Sequence, residues 1–590
     1  MSLRKHGLWI WAAVLWTVVQ LPFVSGPFRI DDPYHLEASK QMRRAPGDPY
    51  GFQINWDGTP KSAFVTYASP PLVPAWIALW NCFFSNNEIS LHVAMLPFSI
   101  VALVTFGVLA RSFEVRSSLA MALLACSPAF FLASQVLMPD MPMLCLFLLA
   151  VSGARLYQLN RSWSALLIAC LAGFCCPLAK YNGAVLAPVL ISLGLAGGRR
   201  IEAANTWSSD RSANQPRRSW SGRGLHDFTP GMIAIIGAPI FSLVCWGAFT
   251  WLKYGTIHFL SMSTFQRGQS HSMDPATLTA GILGAVGVGV VPLSLLGFLF
   301  RCRNSFHWLR VLTLCSGVGA AWLAVLMRYG LSSVVLFASS ASIAVFIVGL
   351  VMRLGWQSAR EGDWSLLPFG VWILAGLAFQ YGLMFSAVRY VLFLAPPMIL
   401  LTLQLSSWVP TETRLRAMLG ANLLFVTALS FADARQANVY PSVVAGEIRP
   451  RLNMLGGRFF FDGHWGFQYY ASHIGGTPFD ELRPPSLRAG DLVVVAREAW
   501  PKLKHPPAAP GLEIETTTLA VPGSAILRTL SCTAGANFYS SVASDCDHPT
   551  LLPFAFSREP AETFVFYSIR KPGSRSSLSF ENLRSEVTNR

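Results

Sequence analysis

The sequence predicts an α-helical polytopic membrane protein of about thirteen transmembrane helices, with a small C-terminal extracytoplasmic α/β domain. Three observations point there. Only 13% of the 590 residues are charged and 53% are hydrophobic, whereas an ordinary soluble domain carries roughly 25% charged residues. Apolar runs recur from Leu8 to about Phe431 and then stop, and a bilayer core needs roughly 20 such residues per helix. From about Asp433 the composition turns soluble, with short β-branched and aromatic runs of strand length. The expected division is 1–432 for the transmembrane part and 433–590 for the outer domain.

Taken in order, the apolar runs place helices at 8–25, 88–110, 117–136, 141–158, 163–179, 181–197, 230–252, 276–300, 308–327, 331–352, 365–386, 391–408 and 416–431. The first has a basic start but no convincing small-x-small cleavage site, so it reads as an uncleaved span. "SPPLVPAWIALWNCFF" is apolar but short and proline-rich, which suits an interfacial or re-entrant helix. In the C-terminal part, "RFFF", "DLVVVA", "LEIETTTLAV" and "TFVFYSI" read as strands and "HWGFQYYASHI" as a helix between the first two. The final "RKPGSRSSLSFENLRSEVTNR" is polar and reads as a tail.

Charge orients the layout. With Arg4 and Lys5 inside, the inner loops collect Arg111 and Arg116, Arg155 and Arg161, the basic stretch 198–227, Arg301, Arg303 and Arg310, Arg353 and Arg360, and Arg414 and Arg416. That is the positive-inside pattern. An odd number of spans then sends the C-terminus outside, together with the first loop 26–87. The net charge of +15 therefore reflects membrane orientation, and nucleic acid is excluded as a partner. Nine of the eleven cysteines lie in or beside apolar segments without metal-type spacing. Only Cys532 and Cys546 fall where an outer-face disulfide fits.

Ionisable groups at the hydrocarbon boundary need an account. "RIDDPYHLEASKQM" places Asp31 and Asp32 just after the first span. Asp32 before Pro33 suits a helix cap; Asp31 has no such explanation and is the stronger functional candidate. His35 and Glu37 on the same helix are expected on its solvated face. Asp140 in "LMPDMP", Lys180 and Tyr181 in "CCPLAKYNG", and Arg389 and Tyr390 in "FSAVRYVLFLAPP" occupy further outer turns. Singly, each is explained by capping, snorkelling or interface anchoring. Together they form an outer layer suited to an anionic ligand arriving from the lipid. His258, Arg267 and His271 in the loop 254–275 lack metal spacing and are expected to be solvated.

These segments resemble the GT-C membrane glycosyltransferases, a group that includes protein O-mannosyltransferases and the lipid A aminoarabinose transferase. "RIDDPYHLEASKQM" looks like that family's first-loop acidic motif, usually Asp-Glu, with Asp32 as the shorter second acid here. "ASPPLVPAWIAL" is similar to its Pro-Pro-Leu segment, with Ser69 where a His is common. "SQVLMPDMPMLCLFLLAV" matches its second-loop aspartate segment, and "PLAKYNGAVLAPVL" and "VRYVLFLAPPMIL" resemble its Lys-Tyr and Arg-Tyr segments. "GHWGFQYY" resembles a stretch of bacterial members to which no role is attached.

The resemblance implies transfer of a sugar from a polyprenyl-phosphate donor to a lipid, glycan or protein hydroxyl, on the outer face of a bacterial cytoplasmic membrane. Asp31 would be the base, with Asp140 orienting the acceptor or the base. Lys180, Tyr181, Arg389 and Tyr390 would bind the donor, and a divalent metal ion held by Asp32 is the sole cofactor expected. The chain carries no Gly-rich phosphate loop, which agrees with a donor already attached to lipid. The alternatives are a transporter or flippase of polyprenyl-linked glycans, which favours charges at mid-membrane, and a glycan ligase.

Overall fold

Helical hairpins decide where the charged turns come together. In the computed structural model, which describes residues 3–55, 59–197, 228–267, 273–290, 307–361, 364, 366–405, 411–541 and 549–573, the helices Asp140–Asn160 and Trp163–Ala179 form an antiparallel pair. Arg161, in the left-handed conformation, makes the turn between them. Gly153 lets the two backbones approach, because a Cβ there would lie 3.0 Å from the Cβ of Ala169. Asp140 opens the first helix and Lys180 closes the second, so the hairpin brings them to the same end.

The chain is an integral membrane protein. Among the described residues five helices are long and apolar enough to cross a bilayer, including Glu88–Ser112, Pro230–Tyr254 and the continuous segment Glu412–Leu455, and shorter apolar helices accompany them. Two expected spans take a different form. The run 117–136 is broken into Ser117–Ala125 and Pro128–Ala133, because Pro128 forces Ser127 into an extended conformation. The last span does not end near residue 431: the helix from Glu412 reaches Val443 and continues through a π turn into Arg449–Leu455. The boundary at 433 thus falls inside one helix. Leu72–Trp80 is a short helix. The basic stretch 198–227, residues 291–306 with Arg301 and Arg303, the side chains of Arg267 and Arg310, His271, Cys546 and the tail from 574 lie outside the described residues.

A largely buried helix, Asp32–Arg44, follows the first span. The C-terminal part holds a five-stranded mixed sheet in the order Thr477–Pro478, Phe459–Asp462, Leu492–Ala496, Glu562–Arg570, Glu513–Val521. The first three strands are parallel and the last two antiparallel to their neighbours. Its central strand Leu492–Ala496 is buried throughout, as a strand covered on both faces must be. The helix Trp465–His473 connects the first two strands in sequence and packs on the long helix through Phe467 against Tyr440. Cys532 is disulfide-bonded, its partner lying outside the described residues.

Candidate active site

Four turns far apart in sequence meet at one end of the helices. Arg389, on the second residue of the helix Val388–Val391, forms an ion pair with Asp31. Its Nη1 also donates to the sulfur of Met138 at 2.8 Å. Lys180 Nζ lies 2.5 Å from Asp140 Oδ1. The Tyr390 ring joins the two pairs: Lys180 Nζ lies 4.2 Å and Arg389 Cζ 4.9 Å from its centre, within cation–π range. Gln380 holds Tyr390 in place by donating to its carbonyl at 2.9 Å.

Local structure aims each group. Asp31 stands at the N-cap of Asp32–Arg44 and accepts, through its backbone carbonyl, from the N–H of Tyr34 and His35. Its side chain is thereby left for Arg389. Asp140 lies in the first turn of its helix and Lys180 caps the C-terminus of its own, positions where the helix dipole favours each sign of charge. The cluster is two anions and two cations, neutral as a whole. Asp31 and Lys180 remain 16% and 13% exposed while Asp140 is 1% exposed, so solvent touches the cluster at Asp31 and Lys180. One oxygen of Asp140, Oδ2, is buried and has no hydrogen-bond partner among the described residues.

Asp32 differs from its expected roles. It does not cap the helix with its side chain and is not arranged to hold a metal. Oδ2 accepts from the backbone N–H of Arg29 at 2.9 Å and Oδ1 from that of Leu137 at 2.7 Å. The residue is fully buried, and burial pushes its carboxyl up to about 7 against those hydrogen bonds. Among the described residues no three His, Cys, Asp or Glu side chains come together. Asp32 instead ties the Asp31 turn to the turn that leads into Asp140.

Tyr181 also lies elsewhere than expected. Its hydroxyl meets His258 Nδ1 at 2.6 Å and accepts from Trp246 Nε1 at 2.9 Å, inside an aromatic cluster with Tyr50 and Phe64. His258 is therefore buried, not solvated. His35 is likewise buried, with Nδ1 2.6 Å from the Tyr67 hydroxyl. Burial pushes both imidazoles down to about 3. Glu37 is exposed and pairs with Lys40 at 2.6 Å.

Sequence reasoning missed Met138 and the buried pair Arg29–Asp433. The pair carried a usable signal, a charge at the edge of an apolar run, the same one that singled out Arg389. Met138 carried none.

No protein-family model and no curated protein matches this sequence. The solved structures similar to it include two membrane proteins. One is the apo oligosaccharyltransferase of Archaeoglobus fulgidus, 12% identical with a TM-score of 0.39 over 80% of this chain. The other is ArnT from Cupriavidus metallidurans bound to undecaprenyl phosphate, 13% identical with a TM-score of 0.36 over 84% of this chain and 93% of that one. This chain spans 64% of the length of the oligosaccharyltransferase. At TM-scores below 0.5 neither likeness decides this chain's fold or chemistry.

Proposed function

We propose that this protein is a GT-C-type membrane glycosyltransferase that moves a sugar from a polyprenyl-phosphate donor to an acceptor hydroxyl at the outer face of the membrane. The observation that supports it is the meeting of Asp31, Asp140, Lys180, Arg389 and Tyr390 at the helix ends. In the free protein the carboxylates occupy the cations. A donor phosphate enters by taking their place on Arg389 and Lys180, the guanidinium gripping two oxygens. That exchange frees Asp31 at the moment the donor is bound.

The acceptor oxygen attacks the anomeric carbon and the bond from that carbon to the phosphate oxygen breaks. Its electron pair leaves with the polyprenyl phosphate, where Arg389 and Lys180 meet the growing charge. The hydroxyl proton passes to Asp31, and a single displacement inverts the anomeric centre. Phosphate is a good leaving group, so one base suffices. The unpartnered Asp140 Oδ2 is the site for a second acceptor hydroxyl or for orienting the attacking one. The topology that goes with this reading has the N-terminus in the cytoplasm and the C-terminus outside, in a bacterial cytoplasmic membrane.

The test is reconstitution. The purified protein in vesicles, given radiolabelled polyprenyl-phosphate sugars and membrane extract, transfers label to an acceptor, and Arg389→Ala does not. Movement of the intact labelled lipid across the bilayer without transfer would replace this reading with a flippase.

A further inference from the structure

The run "GHWGFQYY" takes no part in the transfer step, and neither does the buried pair Arg29–Asp433. Both act on residues 28–29, just before Asp31. On one side, Asp433 forms the ion pair with Arg29. It also accepts from the Tyr539 hydroxyl at 2.8 Å and the Thr529 hydroxyl at 2.6 Å. Arg29, Asp433 and Tyr539 are all buried. Among the described residues Nε and Nη2 of Arg29 have no hydrogen-bond partner, and Asp433 is the carboxylate paired with Nη1.

On the other side, the N–H of Phe28 donates to the Tyr470 hydroxyl at 3.0 Å. The fully buried Phe28 ring lies edge-on to Tyr469 with centres 4.9 Å apart. A Cβ on Gly466 would lie 2.5 Å from the Phe28 carbonyl oxygen, so glycine is needed for the helix to come this close. That helix leaves the carboxyl end of Phe459–Asp462, where the strand order turns toward Thr477–Pro478 on one side and Leu492–Ala496 on the other. Such a switch point is where open sheets of this kind hold ligands. Here the helix rising from it meets the chain's own loop.

Between these two grips and Asp31 stands Ile30 at φ +40°. A β-branched residue keeps that conformation only where its surroundings over-determine it. The turn is therefore imposed from outside.

We propose that the C-terminal region is a positioning device for the catalytic turn: Asp433 with Thr529 and Tyr539, and the helix start at Gly466 with Tyr470, clamp residues 28–29 and so aim Asp31. This rests on the reading of Asp31 as the base. Gly466 and Asp433 are positioning residues and touch neither donor nor acceptor.

The experiment uses the full-length protein in vesicles with a radiolabelled polyprenyl-phosphate sugar. It compares wild type, Gly466→Ala, Asp433→Asn, the milder Tyr470→Phe, and Gly446→Ala as a control, since a Cβ on Gly446 meets nothing within 4 Å. The first two are expected to lower kcat at least tenfold with KM for the donor within twofold, and Tyr470→Phe to do so less steeply. Amide exchange in 28–36 should quicken beyond any general loss of stability, and Gly446→Ala should match wild type. Added to Asp31→Asn, Gly466→Ala should have no further effect, because an unaimed base and an absent one are equivalent.

If a large variant does not fold, Tyr470→Phe carries the same comparison. A kcat within twofold of wild type despite quickened exchange would overturn the clamp, as would a change in KM alone or a loss that multiplies with Asp31→Asn. A wild-type protein with no transfer would overturn the functional reading and this inference with it. An active wild type with unaffected variants overturns the inference alone.

Discussion

Asp31→Asn should lower kcat and KM together, an unusual pairing that follows from the ion pair. The substitution keeps shape and removes a charge. Losing a positioned base costs roughly 10²–10⁴ in rate, or about 3–5 kcal/mol of barrier. At the same time Arg389 loses the carboxylate it holds in the free enzyme. Stripping one partner from a buried pair costs about 3–5 kcal/mol. With Asp31 16% and Arg389 9% exposed, solvent screening reduces this to about 1–2 kcal/mol.

A donor phosphate that no longer competes with Asp31 recovers that amount on binding. At 1.4 kcal/mol per tenfold, KM should fall roughly five- to thirtyfold, and KM reports true binding here because chemistry has become slow. Initial rates across a donor concentration series, with labelled donor in vesicles, measure both constants. A kcat within threefold of wild type would refute Asp31 as the base. A raised KM would refute displacement of Asp31 by the phosphate.

Asp32→Asn should destabilise the protein by about 1–3 kcal/mol, since an amide can accept from only one of the Arg29 and Leu137 N–H groups that Asp32 now serves; chemical denaturation reads it. Glu562 is buried, accepts from Tyr440, Glu498 and Thr563, and burial with the nearby Glu498 pushes it up to about 8. Its ordinary value is lower, so between about pH 4.5 and 8 the folded state binds a proton that the unfolded state releases. Stability therefore declines across that window and levels above it, and Glu562→Gln should flatten the decline in thermal midpoint. Because burial keeps His35 and His258 neutral, the rate profile between pH 5 and 8 should keep its shape in His35→Asn and His258→Asn, whatever their stability. Cys532→Ser should cost about 2–4 kcal/mol, seen as a lowered thermal midpoint, and a reductant should lower the midpoint of the wild type only.

The legible parts of this molecule are those with a local signal. Apolar length marked the helices, and charges at the edges of apolar runs marked Asp31, Asp140, Lys180 and Arg389, which do meet. The four strand runs and the helix "HWGFQYYASHI" were visible from β-branched and aromatic content. The illegible parts depend on distant partners. His35 stands on a polar helix and His258 in a polar loop, both of which look solvated, and distant partners bury them: Tyr67, 32 residues on, for His35, and Tyr50, Phe64 and Tyr181 for His258. Asp32 looked like a cap because Asp-Pro usually is one, but Leu137 could not be foreseen as its partner. Asp433 looked like the first residue beyond the last span. The helix continues because Arg29, Thr529 and Tyr539 satisfy Asp433.

The long helix also acts as a ruler. From Glu412 to Asp433 it rises about 32 Å at 1.5 Å per residue, close to the thickness of the hydrocarbon layer. With Glu412 at one face of the bilayer, Asp433, and through Arg29 the turn bearing Asp31, falls at the other. A lipid whose reactive bond lies between head and tail is presented at that level by the bilayer itself. For the proposed lipid-linked donor, such a level would tolerate tails of many lengths and discriminate by what projects above the surface.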